Sequence, residues 1–403
     1  FPPDLTTVRS LEDSLAERGG GEVITVSEVG AEPVVPLAYD PQQSGTPQPE
    51  LVLGSLGRPL HRVAHRWSFT QISGAIRHSD SVDVAAGVDV TDPHGSDSGA
   101  NDEGSAPLAL TTEFETPIGA QWSGRPLLEG LGGGAPFGNL IHGMFEDLDF
   151  ASPNLESQIS DWLHATQKFG VTELQHERLP QELCEVIRTP FGPHFAELSL
   201  ADLTATSRLN ELNFYFPLSP NSPVNAGRIG ALVADHLATD DPLWPWATGL
   251  ASGLRHVDLQ GFLTGSIDLT LRFTKDGIER YSVVDYKSNR LTPAGSDPTL
   301  SDYHPDKLPH AMAHSNYVLQ SLVYAVALHR YLRWRLADYN PAVHLGPVGY
   351  LFVRGMVGAN APRSESSATL NVPSGVFSWD LPTGLVEALS DLLAGPSDGG
   401  ASK

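Results

Sequence analysis

The sequence predicts an α/β fold, and three observations carry that expectation. Two alternating apolar runs, Gly261 to Phe273 and Tyr281 to Tyr286, are joined by Thr274-Lys275-Asp276-Gly277. An Asp-Gly step between such runs signals a β-hairpin. A long amphipathic helical pattern follows over 309–336, with Val318, Leu319, Leu322, Val323 and Val326 on one face, and then a buried-strand run from Val348 to Val353. Strand, strand, helix, strand is an α/β order.

The remaining elements follow along the chain. Residues 1–60 are rich in Pro, Gly and Glu, with one short apolar run from Val23 to Val29. They read as the end of a preceding domain. The chain opens on Phe1 in a non-periodic stretch, so it is expected to be part of a longer polypeptide. Residues 61–125 read as a tether. Within it, Trp67 to Ser73 has a strand-like start and a Ser/Thr cap signal. Residues 79–106, an acidic insert of Ser, Asp, Gly and Ala with almost no large apolar side chain, read as a disordered linker or long surface loop. A globular domain is expected over 126–394. It begins with Gly132-Gly133-Gly134 leading into a helix that carries Leu140, Ile141, Met144, Phe145 and Leu148. Helical patterns recur through about 155–185 and 223–260, and Leu209 to Leu218 alternates like a strand. The tail 395–403 is Gly-, Ser- and Asp-rich and is expected to fray.

Composition narrows the function classes. The chain has 403 residues, 40% of them hydrophobic, enough for a sizeable core. Its one cysteine, Cys184, excludes a disulfide framework and a Cys-ligated zinc or iron–sulfur cluster. No apolar run approaches the ~18 residues of a membrane helix, and no signal segment opens the chain. A cytoplasmic protein with no membrane partner is expected. The net charge of −23 is unfavourable for binding nucleic acid, but it is unevenly spread. Residues 1–120 hold 18 acidic and 6 basic residues, whereas 253–360 hold 9 and 11.

The chemistry concentrates in that near-neutral segment. Asp268 and Asp285 each sit within an apolar strand run. Strand interiors are depleted in Asp, and a buried carboxylate requires a partner or a metal. Two such aspartates on paired strands can converge on one cation, an arrangement that suits Mg²⁺ with water and phosphate oxygens. Lys287 follows Asp285 by two residues and so shares its strand face. There it could orient or deprotonate an attacking water, or offset charge on a phosphate; a plain structural Asp–Lys pair fits the same tripeptide. His142 and Glu146 share one helix face at i, i+4. His142 reads as a third ligand or as a structural histidine, and Glu146 as its acceptor or as a surface acid. Gln320 and Tyr324 repeat that spacing on the later helix. They read as polar helix edges, as contacts to a cleaved strand or as support for Lys287. There is no G-x-x-x-x-G-K-[ST] loop, no G-x-S-x-G elbow and no H-E-x-x-H motif.

In order, the motifs are Gly138-x-x-x-His142-x-x-x-Glu146, Gly265-Ser-Ile-Asp268, Val284-Asp285-Tyr286-Lys287-Ser288-Asn289 and Gln320-x-x-x-Tyr324. This set resembles the RecB-like branch of the PD-(D/E)XK nucleases, and within it the C-terminal nuclease domains of exodeoxyribonuclease V beta subunits. Further likeness lies in Phe137 to Phe150, the Glu-rich strand Asn210 to Pro217, Ala327 to Leu332 and Tyr350 to Met356. The resemblance covers about 125–360 well and 60–75 weakly. It implies a mixed sheet flanked by helices, with the site on the central hairpin. It implies Mg²⁺ held by His142, Asp268, Asp285 and the Tyr286 carbonyl, with Lys287 as the catalytic lysine. It also implies exo- and endonucleolytic cleavage of single- and double-stranded DNA ends, RecC-like and RecD-like partner subunits, and an ATP-dependent helicase in the parent chain. The acidic insert departs from the family pattern and leaves the tether geometry open. Two rival readings are a nuclease-fold scaffold that guides DNA or docks subunits without cutting, and a stand-alone repair nuclease.

Overall fold

The computed structural model describes residues 66–78, 119–166, 171–219, 222, 224–253, 258–293 and 295–395. The expectations for 1–60, for the insert 79–106 and for 396–403 lie outside these residues. In chain order the elements are β1 (Arg66–Trp67), α1 (Phe69–His78), α2 (Gly134–Asp147), α3 (Leu155–Ala165), α4 (Glu173–Ile187) and β2 (Arg208–Pro217). There follow α5 (Ala226–His236), α6 (Trp244–Ser252), β3 (Phe262–Lys275), β4 (Ile278–Lys287), α7 (Leu308–His314) and α8 (Tyr317–Arg335). The last are α9 (Pro341–His344), β5 (Val348–Phe352), β6 (Val376–Trp379) and α10 (Leu385–Ala394).

The hairpin forms where the Asp-Gly step predicts it. Asp276 (φ 53°) and Gly277 (φ 77°) are both left-handed, as a two-residue hairpin turn of the primed kind requires. β3 and β4 pair from Lys275↔Ile278 back to Leu269↔Val284. β2 runs antiparallel along the other edge of β3, β5 parallel to β4, and β6 antiparallel to β5. β1 pairs in parallel with Phe262 and Leu263. The sheet is therefore six-stranded and mixed, with helices on both faces. Ser68 ends β1 and caps α1: its hydroxyl accepts from the Gln71 N–H, and the Gln71 amide oxygen accepts from the Ser68 N–H. This reciprocal pair is a capping box.

Two apolar clusters sandwich the sheet. On one face, Ile141, Met144 and Phe145 of α2 and Leu183 of α4 pack with Leu269, Leu271, Val284 and Tyr286. On the other, Ile229, Val318, Leu322 and Leu389 pack with Leu263, Ile267, Val283 and Tyr350. Along β3, odd-numbered residues point into one cluster up to Ile267 and into the other from Leu269 onward. Strict alternation forbids that change of face, so β3 is irregular at Asp268.

The helix expected over 309–336 is two helices. Asn316 adopts a left-handed φ of 58° and separates α7 from α8, a conformation Asn tolerates better than most residues. Nor is α8 amphipathic. Every residue from Tyr317 to His329 is buried, because the sheet lies on one side and α10 and other helices cover the rest. Among the described residues no helix is long and apolar enough to cross a membrane.

α5 and α6 cross at Gly230, where an added Cβ would sit 2.5 Å from the Ala251 N and 2.7 Å from the Ala247 O. Gly230→Ala is therefore expected to destabilise the chain by ~1–3 kcal/mol through overpacking. Urea unfolding measures this, and an unchanged midpoint would mean the helices can separate freely there.

Candidate metal centre

The site lies where the central hairpin forks. Ile267, Leu269, Val283 and Val284 carry the two strands into the core, and Asp268 and Asp285 go in with them. The β3–β4 ladder ends at Leu269↔Val284, one residue short of both aspartates. Beyond it, β4 pairs with β5 through Asp285↔Tyr350 and Lys287↔Phe352, while β3 pairs with β2 and β1. Freed from the hairpin, the Tyr286 N–H donates to Asp268 Oδ2 at 3.0 Å. Asp268, Asp285 and Lys287 are 4%, 1% and 1% exposed, so these charges lie in the protein interior.

α2 brings His142 to the fork. Gly132 (φ 117°) and Gly134 (φ 67°) make the turn into this helix. Phe145 packs edge-on against the Tyr286 ring at 4.8 Å. One turn earlier, His142 Nδ1 comes within 3.4 Å of Asp268 Oδ2. A further acid, Glu211 of β2, completes the group. It falls between the pairs Asn210↔Leu269 and Leu212↔Ile267, level with Asp268. Its φ is 48°, a strained conformation for a non-glycine residue in a strand. Its carboxylate accepts from Ser266 Oγ at 2.7 Å. His142, Glu211 and Asp268 each offer one ligand atom, and these lie within 4.8 Å of one another. This His/Glu/Asp group could hold a metal ion.

Glu211 was not among the residues singled out from sequence. The signal was present in the Glu-rich strand Asn210–Pro217, but an acid in an alternating edge strand looks like a solvated one. Asp285 stands beside the trio, with its Oδ2 2.7 Å from Lys287 Nζ. Its Oδ1 has no hydrogen-bond donor among the described residues. A buried carboxylate oxygen left open next to three further ligand groups fits a hard divalent cation.

The titration behaviour follows from burial and crowding. Burial raises the Asp285 carboxyl and Asp268 raises it further; against the pull of Lys287 it is pushed up to about 7. Burial raises Asp268 too, but His142, Lys287 and the Tyr286 N–H together hold it below the ordinary carboxylate value. Burial and the neighbouring Asp268 raise Glu211. For Lys287, burial opposes the charge, but Asp285, Tyr317 and Asp268 outweigh it and raise the ammonium above its ordinary value.

Lys287 is held between rings. Its Nζ lies 4.1 Å from the Tyr317 centroid and 5.5 Å from that of Tyr350, within cation–π range. The Tyr350 hydroxyl donates to Gln320 Oε1, and Gln320 Nε2 donates to the Tyr324 hydroxyl, both at 3.1 Å. Gln320 and Tyr324 are each 1% exposed. They are therefore not polar helix edges. They lie beneath the ring that flanks Lys287. Glu146 is exposed on α2; its backbone oxygen accepts from Asn210 Nδ2 at 2.6 Å, and its charge contributes to raising Glu211.

One buried arginine ties these parts together. Arg354, just after β5, donates to three backbone oxygens: Ser288 O at 2.7 Å, Leu128 O at 2.6 Å and Gly132 O at 2.7 Å. Its guanidinium also lies 4.6 Å from the Phe137 ring centroid. It links the exit of β4, just past Lys287, to the glycine turn before His142.

Fold and site together define a mixed α/β protein with a buried carboxylate–imidazole centre on its central hairpin. No family model matches the chain. It is 38% identical over 395 residues to RecBCD enzyme subunit RecB of Mycobacterium tuberculosis, spanning 94% of this chain and 32% of that subunit. It is 35% identical over 406 residues to the Mycolicibacterium smegmatis RecB (97% and 34%), and 33% identical over 263 residues to the Escherichia coli RecB (65% and 19%). The chain belongs to the RecB family, as a RecB-like C-terminal region. It spans about a third of the length of its mycobacterial relatives.

Two outcomes are expected. Arg354→Met removes a buried donor from three backbone carbonyls, of which Leu128 O keeps the Leu131 N–H and Gly132 O keeps Arg290, and should cost ~1–3 kcal/mol; the denaturant midpoint reads it. The second concerns pH. A carboxyl raised in the folded state holds its proton more tightly folded than unfolded. Its contribution to stability is present below the ordinary carboxylate range and is lost as pH climbs through about 7. A cation on Asp285 must displace that proton. The rise in Tm given by Mg²⁺ should therefore be larger at pH 8 than at pH 6. Equal rises would argue that Asp285 is not a ligand.

Proposed function

We propose that this chain is a Mg²⁺-dependent DNA nuclease of the PD-(D/E)XK kind, hydrolysing phosphodiester bonds both exo- and endonucleolytically. We infer further that it serves a RecBCD-type helicase–nuclease in double-strand break repair and recombination. The observation that carries the reading is the fork, where Asp268 and Asp285 are buried at the parting of paired strands. His142 stands 3.4 Å from one aspartate and Lys287 2.7 Å from the other. The RecB relatives support the biological setting. In that setting the substrates are single- and double-stranded DNA ends. The partners are RecC-like and RecD-like subunits, the ATP-driven helicase lies elsewhere in the longer protein, and the location is cytoplasmic.

His142, Asp268, Asp285 and the Tyr286 carbonyl would hold Mg²⁺, with Glu211 as an additional ligand. Bound there, Mg²⁺ supplies positive charge that polarises the phosphate and favours ionisation of water. The other roles belong to the chain. Lys287, kept protonated by its neighbours, donates a hydrogen bond to the attacking water or to a phosphate oxygen and offsets the charge developing there. Tyr317 and Tyr350 hold the ammonium on the Asp285 side of the strand. The Asp268–Tyr286 hydrogen bond fixes the peptide between the two halves of the site.

The test is cleavage of linear single- and double-stranded DNA by the assembled complex, with Mg²⁺ or with EDTA. Asp268→Ala and Asp285→Ala should abolish cutting. Lys287→Met should lower kcat by roughly 10²–10³, the usual cost of one transition-state donor. Persistent Mg²⁺-dependent cutting by a folded Asp285→Ala variant, or no cutting by the wild-type complex, would overturn the reading.

A further inference from the structure

Past the fork, the described residues leave one end of a sheet face partly uncovered. The helices α2 to α4 pack over Leu269, Leu271, Val284 and Tyr286. Toward the start of β3 their cover ends. Leu263 and Ile267 turn into the opposite cluster, so Phe262, Thr264 and Ser266 share the other face, the first two half-buried and Ser266 buried. On β2, Phe214 and Phe216 pack toward that same opposite cluster, which leaves Tyr215 on the other face as well. Tyr215 is 53% exposed. Its ring stacks on Phe262 at 4.5 Å with an interplanar angle of 14°, and the Arg66 guanidinium lies 5.8 Å from its centroid.

A single exposed aromatic residue is ordinary. A stacked pair with a cation beside it, on a strip that ends at candidate metal ligands, is not. Ser266 closes the strip by donating to Glu211. From Phe262 to Ser266 is four residues of strand, ~13 Å, a span of a few nucleotides.

We propose that Tyr215 and Phe262, with Arg66, form a stacking platform for the bases of a single DNA strand whose phosphate reaches the His142–Glu211–Asp268 group. The proposal rests on the nuclease reading and adds the residues that would bind the strand on the sheet that carries the centre. Aromatic faces accept unpaired bases of any sequence, whereas bases within a duplex have their faces covered by neighbours. Arg66 supplies a positive charge for the strand backbone on a chain whose net charge is −23. A platform of this kind binds without reading sequence.

The experiment uses the full-length subunit in its assembled complex. A single-stranded oligothymidylate carrying 5-iodouracil is irradiated with the complex in EDTA, so the result does not depend on hydrolysis. Adducts mapped by mass spectrometry are expected on Tyr215 or Phe262. In Mg²⁺, Tyr215→Ala should raise KM for single-stranded cleavage about tenfold, the worth of one stacked base, and Tyr215→Trp should restore it. On a strand made abasic near the cleavage point, wild type and Tyr215→Ala should behave alike. Adducts confined to other parts of the protein would overturn the platform. An unchanged KM on base-bearing strands would overturn it equally. Adducts on Tyr215 without cleavage by the wild-type complex would instead retire the nuclease reading and leave a strand-binding surface.

Discussion

The structure turns on the parting of β3 from β4 after the pair Leu269↔Val284. A peptide that leaves a ladder in the interior must find another partner for its N–H. For Tyr286 that partner is a carboxylate, Asp268. The consequences follow in sequence. A carboxylate in the core needs balancing charge or a cation, and His142 and Lys287 stand within reach of the two aspartates. His142 comes from a helix outside the hairpin, so α2 must be fixed against the end of β4. The three hydrogen bonds of Arg354 fix it.

This arrangement works against stability at the place where it is concentrated. Asp285 is raised by burial and by a second carboxylate, and Glu211 combines a left-handed backbone with a raised carboxyl. Each is costly in an interior, and such costs collect where a site is built. The surroundings offset them. Tyr317 and Tyr350 bracket the ammonium. Gln320 and Tyr324 complete the polar chain behind Tyr350 with both ends of the amide used. A partly satisfied network there would be worse than an apolar one; among these residues every bond needed to orient the Tyr350 ring is made.

Much of this was legible in the sequence because it violates expectation locally. Aspartate inside Val-Val-Asp-Tyr and Ser-Ile-Asp-Leu runs against strand composition, and Asp-Gly marks the turn that brings the two runs together. What stayed hidden has physical reasons. A left-handed Glu211 carries no signature, since such a backbone is set by neighbours and not by the residue itself. Arg354 looks like a charged residue ending a strand, and only the fold reveals three carbonyls converging on it. The break at Asn316 has no Pro or Gly beside it to mark it, so the helical pattern reads through it. α8 looked amphipathic because its polar residues, Gln320 and Tyr324 among them, satisfy one another in the interior instead of facing water. β1 and β6, with two and four residues, are too short for any periodicity to show.

The charge of the chain bears on how such a site could meet DNA. A net charge of −23 repels a polyanion, and the centre adds Asp268, Asp285, Glu211 and the nearby Glu146 to that repulsion. Lys287 cannot attract a strand from a distance, because it is buried and already paired with Asp285. On the nuclease reading, two sources of attraction remain. One is a cation, which would convert the acidic centre from repelling phosphate to binding it. The other is contact that does not depend on charge, which the proposed platform of Tyr215 and Phe262 would offer on the strands that carry Glu211 and Asp268. On that reading the acidic centre would repel DNA without a cation, and His142, Glu211, Asp268 and Asp285 would have to hold one before a phosphate could approach. On the same reading, a chain with so little charge of its own to attract DNA would depend on the proposed partner subunits to bring the strand to the centre.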